Sequence, residues 1–414
     1  MVFSQCDVRL RQIYKTSRTN REGVFINIYI MLKAFEYRLY PNKEQVELIN
    51  KHIGSARFIY NIGLEVSNVS NENKTTAFDR NDLIKQIPGL KKDVEWLKEI
   101  NSQSLQAPIR NLDNAFKRFF KKTSGYPKFK SKWSGKQSFH IPQNIYFDDG
   151  KLSIPKFREG IKIELHRKTK GDIRFATISR RPTGKYYVSI VYDTGVGRKP
   201  KPPIKAETTV GIDLGIKDFM VSSEGDKVNN PRYLKNNESK LKFTQRKYSK
   251  NKGKRTKKIL SKIHEKTALQ RKDFLHKESS RLVKENQSIA IEDLDIKGMM
   301  KNRELAKAIS DVGWGMFTTM LEYKCDWYGV NLLKIGRYDP SSKTCSSCGD
   351  INHELTLKDR EWSCKVCNAQ HDRDVNAAIN IKNFALIQNN TVSGTATENH
   401  DELSSLEEVL TLEA

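Results

Sequence analysis

The chain has 414 residues, with 74 Lys and Arg against 49 Asp and Glu and a formal net charge of +25. That length supports two or three domains with separate cores, and the basic excess calls for a polyanionic partner, nucleic acid first. The apolar run over residues 24–32 is short and broken by Asn27, so no membrane partner is expected. The cysteines do not form a disulfide framework, which predicts a reducing, cytoplasmic setting.

Residues 1–30 are polar and basic without clear period, and are expected to be a disordered extension upstream of a natural start at Met31. Alternation of Lys33, Phe35, Tyr37 and Leu39 predicts a strand over 31–40. Val46, Ile49, Ile53 and Ala56 then recur at helical spacing and open a helical unit over 41–122. Residues 115–137 carry eight Lys and Arg and no acid, with six aromatics between them. Phe116, Phe119 and Phe120 read as mostly core. Where Gly125 and Pro127 break the helix, Tyr126, Lys128, Lys130, Lys132 and Trp133 read either as a loop that reaches phosphates and stacks on bases, or as a solvated flank. Short strands over 138–194, with PTGK as a hairpin turn, are expected to close a small β-barrel built from 31–40 and 123–196, and the helical unit is inserted in it. A Lys- and Pro-rich linker, 197–207, marks a domain boundary.

TTVGIDLGIKDFMVSSEG follows. It reads as a buried strand over 209–212, a tight turn at Gly215 and a return strand, which leaves Asp213 exposed at a strand end. Alone this is weak, because Asp-x-Gly after a strand also occurs in actin-type and sugar-kinase ATPases or simply caps a turn. The ATPase reading needs Gly-rich phosphate loops downstream, and the sequence has none. SIAIEDLDIKGM repeats the pattern and ends its apolar strand in Glu292. Asp374 opens the helix VNAAINIKNFAL, with Asp372 just before it. Carboxylates from two strand ends and one helix are the oxygen donors that two catalytic Mg²⁺ ions need in phosphodiester hydrolysis. The expected fold class is α/β plus α+β, multidomain, with a ribonuclease-H-like nuclease domain over 208–340 and 371–387.

Two further features sit inside that domain. Residues 240–277 hold fifteen Lys and Arg against Glu265 and Asp273. Their apolar residues, Leu241, Phe243, Ile259, Leu260, Ile263, Leu269 and Phe274, are expected to seat helices on the nuclease core. That leaves Lys250, Lys252, Lys254 and Arg255 beside the active site for phosphate, unless the segment is only a solvated face. Cys345/Cys348 and Cys364/Cys367 form two Cys-x-x-Cys pairs fifteen residues apart, the spacing of a zinc ribbon, here over 341–370. Four thiolates complete a tetrahedron, so one structural Zn²⁺ is expected, and His353 and His371 are read as non-ligands.

At GIDLGIKDF, AIEDLDIKGM, SSKTCSSCGD with EWSCKVC, and HDRDVNAAINI, with LKAFEYRLYPNKEQ and ARFIYN near the start, the chain resembles the TnpB (OrfB) family of transposon-encoded RNA-guided DNA endonucleases, relatives of the type V CRISPR effectors. The resemblance spans residues 31–386. It implies a RuvC-like nuclease with Asp213, Glu292 and Asp374 as catalytic acids holding Mg²⁺, a ribbon that binds target nucleic acid, a wedge domain of strands and a helical recognition domain. It also implies a guide RNA as partner and double-stranded target DNA with a short flanking motif. Rival readings are a guided DNA-binding repressor without cleavage, which the intact triad opposes, and a DDE-type transposase that joins strands. Residues 388–414 are acidic, carry no Lys or Arg, and are expected to be disordered.

Overall fold

The computed structural model describes residues 15–19, 25–29, 31–73, 79–133, 137–167, 169–197, 199–356 and 358–393, with side chains within 31–389. The chain divides into two units between Gly197 and Arg198.

The first unit corrects one expectation at its start. β1 (Lys15–Thr19) and β2 (Phe25–Tyr29) pair as an antiparallel hairpin, with Lys15 opposite Tyr29. Phe25, Ile26, Ile28 and Tyr29 favour a strand by side-chain type even where the period is too short to see. The rest of residues 1–30 lies outside the described residues.

β3 (Leu32–Tyr40) forms the centre of a seven-stranded antiparallel sheet with β4 (Gln137–Ile141), β5 (Tyr146–Asp148), β6 (Lys151–Ile154), β7 (Phe157–Glu164), β8 (Asp172–Arg180) and β9 (Tyr186–Asp193), in the order β4-β8-β9-β3-β7-β6-β5. One continuous core takes Phe139 and Ile141 from one edge and Leu152 and Ile154 from near the other, so the sheet curls around it. The ladder itself stays open: among the described residues no pairing joins β4 to β5.

Between β3 and β4 run α1 (Lys43–Glu72), α2 (Arg80–Lys85), α3 (Ile87–Asp93) and α4 (Ser102–Phe120). The start of α1 is fixed by a reciprocal cap: Gln45 N donates to Asn42 Oδ1 at 2.8 Å and Asn42 N to Gln45 Oε1 at 3.1 Å. Ile49 and Ile53 then carry the helix onto the sheet core.

The second unit is a mixed five-stranded sheet, order β12-β11-β10-β13-β14, made of β10 (Thr209–Asp213), β11 (Asp218–Ser222), β12 (Lys227–Asn229), β13 (Ser288–Glu292) and β14 (Asn331–Ile335). β10, β13 and β14 are parallel; β11 pairs antiparallel with β10, and β12 antiparallel with β11. The crossover from β12 to β13 holds α5 (Tyr233–Asn236), α6 (Glu238–Asn251) and α7 (Lys254–Glu285); α8 (Ile296–Met299), α9 (Ala306–Val312) and α10 (Trp314–Tyr328) lead to β14. After the ribbon strands β15 (Glu361–Ser363) and β16 (Gln370–Asp372), α11 (Arg373–Ser393) returns to the sheet. It comes so close that a Cβ on Gly211 of β10 would stand 2.0 Å from Ala378 O. Only glycine permits that approach. α11 also continues past 387 to Ser393, where a disordered tail was expected: Ile387 is buried and Gln388 Nε2 donates to Asp339 Oδ2 at 2.9 Å. Residues 394–414 lie outside the described residues.

The basic crossover differs from its sequence reading. Ile263 is buried and Phe274 meets Phe219 of β11 edge-on, but Phe243 is 69% exposed, and Ile259 and Leu269 are also exposed. Lys250, Lys252, Lys254 and Arg255 sit exposed at the α6–α7 turn, with Lys252 in the left-handed region at φ 40°. The helix from Lys254 to Phe274 is about 30 Å long at about 1.5 Å per residue. The charge is therefore carried to the tip of a hairpin, not placed beside Asp213. Arg271 anchors the hairpin's base through a buried ion pair with Asp311 at 2.8 Å.

Candidate active site

The three acids come from three elements. β10 ends in Asp213, β13 ends in Glu292, and Asp374 stands in the first turn of α11. Parallel pairing of β10 with β13 puts both strand ends on one edge of the sheet, and the Gly211 contact holds α11 against that edge. Burial, then the charges of Glu292 and Asp374, push the Asp213 carboxyl up to about 7. Burial raises Glu292 as well, against the lowering effect of Ser341, whose Oγ donates to Glu292 Oε1 at 2.6 Å. Asp374 is met by two guanidiniums, Arg373 at 2.9 Å and Arg360 at 3.2 Å.

Asp372, the near neighbour in sequence, has a different job. Its Oδ1 accepts from the backbone N–H of Asp374 and of Val375, both at 3.1 Å, and its Oδ2 takes Lys227 at 2.5 Å. It caps the helix that carries Asp374. Arg360, Ser341 and Lys227 carried no signal in the sequence; Arg373 was visible only as the letter between two acids in HDRDVNAA.

The ribbon brings Cys345, Cys348, Cys364 and Cys367 together, with all four Sγ within 4.8 Å of one another. Cys345 Sγ to Cys367 Sγ and Cys348 Sγ to Cys364 Sγ are each 3.6 Å. Sulfurs at about 2.3 Å from one tetrahedral ion stand about 3.8 Å apart, so the cluster fits zinc and is far too wide for disulfides. His371 Nε2 lies 3.0 Å from Cys345 Sγ, outside the four-sulfur group, and its ring packs on Trp362. Among the described residues this is the one group so tightly closed; the carboxylates stand wider.

In the first unit the loop after α4 is clamped to α1. Asn61 exchanges two hydrogen bonds with the backbone of Lys130, at 2.8 and 3.0 Å, and Tyr126 Oη donates to Asn68 Oδ1 at 2.7 Å. Tyr126 also packs edge-on against Phe116 and Phe119, and the Lys130 ammonium sits 3.7 Å over the Tyr60 ring. Both residues thus hold the loop in place. Lys128 and Lys132 remain exposed, and Trp133 is 82% exposed. Phe120, read as core, is 75% exposed: it lies at the last turn of α4, beyond the cluster that takes in Phe116.

A mixed sheet with carboxylates gathered at the ends of its parallel strands, and a closing helix, fits a multidomain nuclease that contains a RuvC-type domain. Comparison with known proteins specifies it further. The family profile described as "Probable transposase" of the OrfB and IS605 type matches residues 189–303, a "Cas12f1-like, TNB domain" profile matches 314–381, and a "Helix-turn-helix domain" profile matches 31–73. The last span is here a strand and one uninterrupted helix. A protein of Streptomyces pristinaespiralis, named as an RNA-guided DNA endonuclease, is 36% identical over 84% of this chain and 88% of its own length. One of Escherichia coli K12 with the same designation is 27% identical over 84% and 91%. A Cas12f1 chain solved with sgRNA and target DNA overlays 85% of this chain and 99% of its own at 16% identity and a TM-score of 0.35, too loose a likeness to argue from. The chain belongs to the TnpB (OrfB) family of RNA-guided DNA endonucleases.

Proposed function

We propose that this chain hydrolyses phosphodiester bonds in DNA selected by pairing with a bound guide RNA, and that Asp213, Glu292 and Asp374 hold its catalytic divalent metal. One observation carries the assignment: the ends of parallel β10 and β13 and the first turn of α11 bring three carboxylates to one edge of the sheet, where burial, then the charges of Glu292 and Asp374, push Asp213 up to about 7. Buried hard oxygen donors of like charge fit Mg²⁺, whose charge offsets both their burial and their repulsion. Bound there, Mg²⁺ supplies Lewis-acid charge at the scissile phosphate. The chain's own part is placement: Ser341 holds Glu292, Asp372 caps the helix beneath Asp374, and Arg360 and Arg373 keep positive charge at the carboxylate edge.

In the same reading, the seven-stranded sheet serves as the wedge domain and α1–α4 as the recognition domain. The ribbon binds target nucleic acid around one structural Zn²⁺. Guide RNA and double-stranded DNA with a short flanking motif are the partners, and the loop bearing Tyr126, Lys128, Lys130, Lys132 and Trp133, with the hairpin tip at Lys250, Lys252, Lys254 and Arg255, supplies phosphate and base contacts. Among the described residues no helix is long and apolar enough to cross a membrane.

The test begins with sequencing the RNA that copurifies with the protein. A plasmid library is then built with the matching target beside randomised flanks. Wild type is expected to cut a subset of flanks with Mg²⁺ and Asp213→Ala to bind them without cutting. Bound but uncut plasmid with wild type would make the protein a guided repressor, and guide-independent joined products would make it a strand-joining transposase.

A further inference from the structure

The ribbon leaves the sheet after β14 and returns at α11, and its neck is bonded to the catalytic elements at both ends. Asn380 Nδ2, buried on α11, donates to Ser341 O at 2.7 Å and to Thr344 O at 2.6 Å. Asn376, one turn earlier and equally buried, donates from Nδ2 to Thr344 O at 2.7 Å and accepts at Oδ1 from Ser346 N at 2.9 Å. Ser346 lies inside the Cys345–Cys348 knuckle. Ser341, whose carbonyl Asn380 fixes, gives its hydroxyl to Glu292. A chain of short bonds thus runs from the knuckle through α11 to two of the three carboxylates: Glu292 through Ser341, and Asp374 through the first turn that it shares with Asn376.

We propose that Ser341 is a positioning residue for Glu292, and that Asn376 and Asn380 make the four-cysteine centre and the carboxylate edge a single coupled unit. The proposal rests on the carboxylates being the divalent-metal site. The alternative role for these groups is simple satisfaction of buried polar atoms. That role accounts for the two asparagines, whose partners at the neck are all backbone atoms. It does not account for Ser341, which sits at 5% exposure with its hydroxyl turned to one oxygen of a metal-binding carboxylate. Fixing that oxygen leaves the other free for metal and removes a rotamer search from each binding event. Since coupling is reciprocal, whatever loosens the knuckle also weakens divalent binding at the carboxylates.

The experiment uses the full chain with its copurified RNA and Mn²⁺ as the probe. Bound Mn²⁺ is counted by electron paramagnetic resonance, and Asp213→Ala sets the background from RNA. Ser341→Ala is expected to keep its zinc and its target binding but to raise the Mn²⁺ midpoint about tenfold, the typical cost of removing a hydrogen-bond partner of a metal ligand. Ser341→Thr, which keeps the hydroxyl, is expected to restore it. Cys367→Ser, which removes one thiolate of the four-cysteine centre without touching the sheet, is expected to raise the midpoint as well. An unchanged midpoint in Ser341→Ala, or a Thr variant as weak as the Ala variant, overturns the positioning role; an unchanged midpoint in Cys367→Ser overturns the coupling. If Asp213→Ala binds as much Mn²⁺ as wild type, the failure lies instead in the assignment of the carboxylates.

Discussion

The two sheets differ in the polar groups they bury. The seven-stranded sheet curls around an apolar core into which α1 sends the imidazole of His52, 1% exposed against Phe139 and Phe157. Its Nδ1 faces Leu48 O at 2.9 Å and its Nε2 receives Asn101 N at 3.4 Å, an arrangement that only the neutral ring satisfies, and burial pulls its pKa down to about 4. The five-stranded sheet takes charge inside. It buries the Arg271–Asp311 pair, it seats Lys324 on His276 O, Ser279 Oγ and Ser280 Oγ with its pKa pulled down by burial to about 8, and it crowds three acids at one edge. One region keeps its buried imidazole neutral; the other brings three carboxylates to one edge and holds Asp213 above its ordinary range by burial and by the charges of Glu292 and Asp374.

The largest effect should separate the regions cleanly. Asp213→Ala, Glu292→Ala and Asp374→Ala are each expected to abolish cleavage while guide and target binding persist, as read by gel shift beside a cleavage assay. Asp372→Ala is expected to slow cutting without abolishing it, since it removes a cap and leaves the carboxylates. If Asp372→Ala is dead and Asp374→Ala cuts, the register of α11 at the site is wrong.

Zinc comes next. Elemental analysis should give about one zinc per chain, and Cys364→Ser should lose it. Hydrogen exchange would then rise across β15, β16 and the first turn of α11 while β3 and β9 keep their protection. A folded wild-type preparation without zinc would remove the ribbon's assignment.

Smaller, and opposite in sign between the regions, is the response to pH in the metal-free chain. His52 has a folded pKa of about 4 below its ordinary 6.5, so the unfolded state takes the proton first as pH falls. Its contribution is whole above 6.5 and is lost towards pH 4, a loss of about 3 kcal/mol over that span. Asp213 has a folded pKa of about 7 above its ordinary 3.8, so its proton favours the folded form at low pH, and that contribution is lost as pH rises through 7. Protection should therefore fall on acidification in peptides of α1 and β4, and on alkalinisation in peptides of β10 and β13. Asp213→Asn should flatten the second trend only. Parallel trends in both regions would erase the contrast.

The smallest expected change concerns Lys250, Lys252, Lys254 and Arg255. Replacing all four with Gln should weaken nucleic-acid binding and lower the slope of log affinity against log salt by about 0.7 to 0.9 for each phosphate contact removed. An unchanged slope would mark the hairpin tip as a solvated face.

What the sequence disclosed about these regions follows from how far each signal extends along the chain. Carboxylates at strand ends and paired cysteines are local patterns, readable because a strand's apolar run points to its own terminal acid and a knuckle needs only four residues. The bonds that make the site work are long-range. Ser341 to Glu292 and Arg360 to Asp374 join residues whose types are unremarkable where they stand, and nothing periodic announces them. The hairpin tip shows the same gap from the other side: its charge was plain, but where it sits depends on a helix continuing unbroken for 32 residues, which composition does not reveal. The β1–β2 hairpin was missed because five-residue strands leave too little period to count.

The contact of α11 with Gly211 also sets an order in time. β10 and β13, which carry the first two acids, leave the ribosome long before the helix that carries the third, an interval on the order of 10 s at about 5–20 residues per second. Until residues 373–382 are made and docked on that glycine, the chain has its first unit whole and its catalytic edge incomplete. If the three carboxylates are the metal site, a nascent or prematurely terminated product lacking α11 holds two of its acids and lacks the third.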